Sequence, residues 1–111
     1  MALIYIGVGS NIEPARYIPL GVQAMAECFT SLRLSTVYES AAFGFSGNNF
    51  YNLVVEAQTE LSVTEVLATL KQLEFAHGRA ADARKFSSRT LDLDLLCYDQ
   101  LVLDGPTVLP R

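Results

Sequence analysis

The sequence predicts an α+β fold: a ferredoxin-like βαββαβ sandwich in which one four-stranded antiparallel sheet carries both helices on one side. Three observations lead there. Apolar segments with strand-like alternation and helix-like spacing follow one another as strand, helix, strand, strand, helix, strand. Two split βαβ units in that order close as a two-layer sandwich. The 111 residues, half of them hydrophobic, suit one domain over 1–111 with a packed core.

Each element has its own signal. "LIYIGVGS" (3–10) is apolar on both alternating sets and reads as a central strand covered on both faces. Pro19 suits a first helical turn, and Ile18, Val22, Met25 and Phe29 follow at helical spacing, so a helix is expected over 18–29. "LRLSTVYES" (32–40) alternates and is predicted as one strand, and "AAFGFSGNN" (41–49) as a loop. "FYNLVVEAQTEL" (50–61) is the third strand. Ser62 and Glu65 match a capping box, and Val63, Val66, Leu67, Leu70 and Leu73 form a stripe, giving a helix over 63–77. Gly78 stands where a helix ends, and His77 in the last turn suits the dipole when charged. Residues 79–88 read as a loop, 90–99 as the fourth strand, and Asp104-Gly105-Pro106 as the turn of a short hairpin.

Composition narrows the function. No apolar run approaches the length of a membrane span, and the N-terminus lacks the basic region of a signal peptide, so a cytoplasmic protein with no membrane partner is expected. The net charge of −4 argues against nucleic-acid binding. Cys28 and Cys97 are far apart and read as buried, reduced thiols. With His77 the only histidine, they make no zinc site.

The chemistry concentrates in "RTLDLDLLCY" (89–98). Strand alternation turns Leu91, Leu93 and Leu95 to one face and Asp92 and Asp94 to the other, with Cα atoms about 6.6 Å apart. Two carboxylates so placed can hold one or two Mg²⁺ ions whose other ligands are water and phosphate. They equally suit an edge strand whose charges discourage aggregation. Arg79, Arg84, Lys85 and Arg89, half of the eight basic residues, precede or adjoin them. Acids beside clustered arginines are the equipment of phosphoryl transfer. "GVGSN" lacks the lysine of a P-loop.

"YIGVGSN", "NFYNLVVE", "LEFAHGR" and "RTLDLDLLCY", in this order and spacing, resemble the 6-hydroxymethyl-7,8-dihydropterin pyrophosphokinases of folate biosynthesis. The resemblance implies an ATP- and magnesium-dependent transfer of diphosphate from ATP to the pterin, with release of AMP and two Mg²⁺ ions as cofactors. It implies that Asp92 and Asp94 bind the metal. Arg79 and Arg89 join them as catalytic residues and contact the nucleotide, together with Lys85 and Glu74. The pterin would lie against Ser40, the backbone of Ala42, Phe43 and Gly44, and the side chains of Phe50, Asn52 and Phe86.

The chain departs from the family pattern at Ala81, where an arginine is common, at Ala41-Ala42 in place of two prolines, and at Arg111 in place of a histidine. The family also continues beyond "VLPR". With one sheet face left to cover, a homo-oligomer or a fragment of a longer product is expected. A non-catalytic pterin- or nucleotide-binding or assembly subunit is the alternative function.

Overall fold

A computed structural model describes residues 1–40, 50–77 and 91–100. Its elements are β1 (Ala2–Ser10), α1 (Pro14–Cys28), β2 (Thr30–Leu34), β3 (Tyr38–Ser40), β4 (Phe50–Thr59), α2 (Val63–Ala76) and β5 (Asp92–Tyr98). The result is α+β, with one antiparallel sheet of five strands. The order is β2-β4-β1-β5, and β3 also pairs with β4. β1 is central, as its apolar sequence predicts, and β5 has a strand partner on one side only among the described residues.

The fifth strand corrects the four-strand expectation. Residues 32–40 alternate without interruption, but the ladder breaks at Ser35. Its hydroxyl oxygen accepts the Val54 N–H at 2.8 Å, while its own N–H donates to the Val54 carbonyl at 2.9 Å. A side-chain oxygen thus takes the place of a strand carbonyl. Two short strands, β2 and β3, result.

One core lies between the sheet and the helices. Ile4, Ile6 and Val8 of β1, Leu53, Val55 and Ala57 of β4, and Leu93 and Leu95 of β5 point into it. Ile18 and Met25 of α1 and Val66 and Leu70 of α2 meet them there. The opposite sheet face is half-buried at Leu3, Tyr5, Gly7, Asn52, Val54 and Glu56. β1 is therefore not covered on both faces by the described residues. The second face holds tyrosine, glycine, asparagine and carboxylates rather than a continuous apolar layer.

α1 begins at Pro14 rather than near Ile18, because Pro14 takes the first-turn position that Pro19 was expected to fill. The Glu13 carbonyl accepts from Arg16 and Tyr17 at 2.9 and 3.0 Å. Pro19 lies inside the helix on its exposed side, where water can serve the carbonyl a turn earlier. Where Gly21 of this helix crosses the start of β5, an added Cβ would stand 2.9 Å from the Leu91 side chain. The cysteines are free, but Cys28 is exposed and Cys97 half-buried, which corrects the expected burial.

α2 has the predicted capping box. Ser62 Oγ accepts from the Glu65 N–H at 3.2 Å, and Glu65 Oε1 accepts from the Ser62 N–H at 2.9 Å. At its other end the His77 ring donates from Nδ1 to the Leu73 carbonyl at 2.7 Å, a cap rather than a dipole contact alone. Ser62→Ala is expected to cost about 1 kcal/mol, measured by denaturant unfolding. The backbone hydrogen bond from Ser62, and then its hydroxyl, hold the Glu65 carboxyl below the ordinary glutamate range. Its folded value thus lies under its unfolded value. The contribution is complete above the unfolded value and is lost as pH falls through the folded one. A Glu65→Gln variant, which keeps the geometry without the charge, should lose less stability across that acid range than the native chain. Equal acid slopes would remove Glu65 from the pH dependence.

Candidate functional site

Strand register brings four of the predicted residues, Phe50, Asn52, Asp92 and Asp94, to the sheet face away from the helices. Tyr38 of β3 stands opposite Asn52 of β4, Asn52 opposite Gly9 of β1, and Gly9 opposite Asp92 of β5. The next row runs from Val54 to Gly7 to Asp94. Residues directly opposite one another share a face. Asn52 and the two aspartates therefore flank a two-glycine floor on β1. Ser40 pairs with Phe50, one row further toward the loop.

The floor is what allows the approach. A Cβ built on Gly9 would lie 3.0 Å from Asn52 Oδ1 and 3.6 Å from Phe50 Cδ1. The side chains of Asn52 and Phe50 thus lean over Gly9 from one flank. At Gly7 an added Cβ would meet Leu96 at ordinary contact distance, 3.6 Å. The sequence reading gave Gly7 and Gly9 no role in the site. Their alternation inside an apolar strand was the available signal for close approach of another group. Tyr38, 55% exposed beside Asn52, was also missed.

On the other flank, Asp92 and Asp94 are half-buried, while Leu91, Leu93 and Leu95 are 0%, 7% and 1% exposed. The predicted alternation therefore holds. A bulge then inserts Leu96 between the residues facing Ile6 and Tyr5. It returns Tyr98 to the helix side, where its hydroxyl donates to the Leu61 carbonyl at 2.6 Å.

Magnesium suits the carboxylate pair. Among the described residues no cluster of three or more His, Cys, Asp or Glu surrounds a metal position. Two hard oxygen donors would leave the remaining positions to water and phosphate, which is how Mg²⁺ is usually held.

Glu74 lies elsewhere than on the open face. It is 5% exposed, at the spacing of Val66 and Leu70 on the inner side of α2. Its Oε2 accepts the Leu93 N–H at 2.8 Å. The other predicted positions, Ala42, Phe43, Gly44, Arg79, Lys85, Phe86 and Arg89, lie outside the described residues.

A separate depression of about 210 Å³ opens near β2, lined by Tyr5, Arg33, Leu34, Ser35, Val54 and Glu56. There the Tyr5 hydroxyl donates to Glu56 Oε2 at 3.2 Å. That hydrogen bond, followed by the charge of Glu56, raises the phenol above its ordinary value. Among the described residues, none of the predicted site residues lines this depression.

Comparison with known proteins gives the family. A family model described as 7,8-dihydro-6-hydroxymethylpterin-pyrophosphokinase matches residues 5–111. The chain is 37% identical over 105 residues to a 2-amino-4-hydroxy-6-hydroxymethyldihydropteridine pyrophosphokinase of Aquifex aeolicus, covering 93% of this chain and 65% of that protein. Proteins of the same name from Bacillus subtilis and Pseudomonas aeruginosa are 30% and 34% identical, over 98% and 93% of this chain and 71% and 65% of theirs. The chain thus spans about two thirds of the length of these relatives. A match that begins in β1 and runs through both carboxylates of β5 places the chain in the 7,8-dihydro-6-hydroxymethylpterin-pyrophosphokinase family.

Proposed function

We propose that the chain, as one domain with a ferredoxin-like frame, transfers the diphosphate of ATP to 6-hydroxymethyl-7,8-dihydropterin and releases AMP. The observation that carries this reading is the pairing of Gly9 with Asn52 on one side and Asp92 on the other. It sets an amide and an aromatic ring beside one flank of a floor and two carboxylates beside the other.

In this reading Asn52 hydrogen-bonds the edge of the pterin and Phe50 covers its ring, helped by Phe86, Ser40 and the backbone of Ala42, Phe43 and Gly44. Asp92 and Asp94 hold two Mg²⁺ ions, which when bound neutralise phosphate charge. Arg79, Arg89 and Lys85 bind the triphosphate, while Glu74 stands behind β5 on the helix side of the sheet. The pterin hydroxymethyl oxygen forms a bond to the β-phosphorus. The bond from that phosphorus to the oxygen bridging the α-phosphorus breaks, AMP leaves with the oxygen, and the hydroxyl proton is released. The chain's task is to align the two substrates and stabilise the charge that shifts to the leaving AMP.

The substrates are small molecules, and the homologous family supports a place in folate biosynthesis. No helix among the described residues is long and apolar enough to cross a membrane, and cytoplasmic residence fits the substrates. A homo-oligomer that covers the half-buried sheet face beyond the row from Asn52 to Asp92 is part of the proposal. Sedimentation at micromolar concentration tests it, and a monomer would remove it. AMP formed from ATP, Mg²⁺ and the pterin tests the activity. No AMP above background, together with measurable pterin or nucleotide binding, would leave the non-catalytic alternative.

Gly9→Ala offers a finer test. The added methyl pushes Asn52 Oδ1 by a few tenths of an ångström. The pterin KM should rise by roughly tenfold with little change in the KM for ATP. An equal rise in both would detach Asn52 from the pterin.

A further inference from the structure

We propose that Glu74 is a positioning residue that sets the carboxylate pair from behind, through the backbone of β5, without touching the nucleotide itself. The inference rests on the reading of Asp92 and Asp94 as the metal-holding pair.

The position is one where an apolar side chain would be expected. Val66, Leu70 and Glu74 are the buried residues of α2, each four apart, and they form one stripe. The first two enter the core, yet the third is a carboxyl group at 5% exposure. Burying such a group is costly unless it is hydrogen-bonded. Its Oε2 receives the Leu93 N–H at 2.8 Å in a buried contact.

The donor explains the acceptor. β5 pairs with β1 and with no other described strand. Alternate peptide groups of a strand point to opposite edges, so those on the outer edge need an acceptor that is not a neighbouring strand. Glu74 supplies one from the helix. Leu93 is the residue between the two aspartates, and its N–H belongs to the peptide plane that joins Asp92 to Leu93. Holding that plane fixes one backbone torsion of Asp92 and one of Leu93. It thereby sets the direction in which the Asp92 side chain leaves the strand relative to Asp94. Groups that orient metal-holding side chains from outside the coordination sphere commonly change metal affinity by 10–100-fold.

What matters in this arrangement is an acceptor oxygen of the right reach, not a negative charge near the ligand. Glutamine keeps the oxygen, and leucine removes it while filling the core. The test compares wild-type, Glu74→Gln and Glu74→Leu chains by titration with Mg²⁺ at fixed α,β-methylene-ATP, whose altered bridge blocks the transfer. Exchange of the Leu93 amide with solvent is followed by NMR, and both measurements are made well below each variant's melting temperature.

We expect Glu74→Leu to raise the Mg²⁺ half-saturation about tenfold and to speed Leu93 amide exchange. Glu74→Gln should stay within about twofold of wild type in both. Unchanged Mg²⁺ half-saturation in Glu74→Leu, with the amide exposed, overturns the proposal, because the bond then serves the fold alone. Equal loss in both variants, with the amide still protected in Glu74→Gln, overturns it in favour of direct contact by the charge. Should Glu74→Leu not fold, the glutamine variant decides alone: wild-type behaviour supports the proposal, and tenfold loss with a protected amide rejects it. A wild-type chain that binds no analogue with Mg²⁺ while Leu93 stays protected rejects the metal-pair reading, and this inference with it.

Discussion

An Asp94→Asn chain is expected to form AMP about a thousandfold more slowly than the native chain, a loss of about 4 kcal/mol in transition-state stabilisation. Asparagine keeps the size of the side chain and one oxygen, so the strand has little reason to move. What it removes is the charge that a hard divalent cation requires. The effect should fall mainly on kcat and on the Mg²⁺ dependence. The melting temperature should hold, since Asp94 is only half-buried on the face opposite the core, and Leu93 and Leu95 beside it keep their packing. Asp92→Asn should behave alike. Steady-state AMP release across a magnesium series measures both. Native turnover in either variant would take the carboxylates out of the reaction and the functional reading with them.

Ile6→Ala should have the largest effect on stability. Ile6 is fully buried in the central strand, opposite Val55 on one side and Leu95 on the other. Removing three carbons there forfeits burial and leaves a cavity between two strands that cannot close without breaking their ladders. Such truncations cost about 2–5 kcal/mol. Domains of this size have on the order of 5–15 kcal/mol in total, and the midpoint should fall by roughly 10–20 °C. Calorimetry gives the answer. A shift of a degree or two would mean that the sheet and helices do not share the single core described here.

These two residues also mark what the sequence reveals and what it hides. Ile6 in the core and Asp94 on the open face both follow from strand alternation, a strictly local rule. The α2 capping box is equally local, because its partners are three residues apart. The break at Ser35 was not legible. "LRLSTVYES" alternates without a flaw, and the interruption arises from a hydroxyl meeting Val54 on a distant strand. The start of α1 was misplaced because both Pro14 and Pro19 carry the same first-turn signal. The bulge at Leu96 is set by the register against β1, which no single segment encodes.

Glu74 was assigned to the nucleotide side through the resemblance, but its burial was missed because the stripe was traced through apolar residues only. A charged residue four places after Leu70 was the clue. The Gly9 floor stayed hidden for the opposite reason. An absent side chain acquires meaning only once Asn52 and Asp92 are known to stand on either side of it.

That bare rung works like a caliper. With no rotamer in the middle, the span from Asn52 to Asp92 depends only on two inter-strand spacings, about 9–10 Å in all. Heat, pH or a change of ligand can reorient either jaw, yet the gap between them stays fixed by main-chain hydrogen bonds. In the proposed reading, the pterin and the phosphates would therefore be offered to one another at a distance set by the main chain.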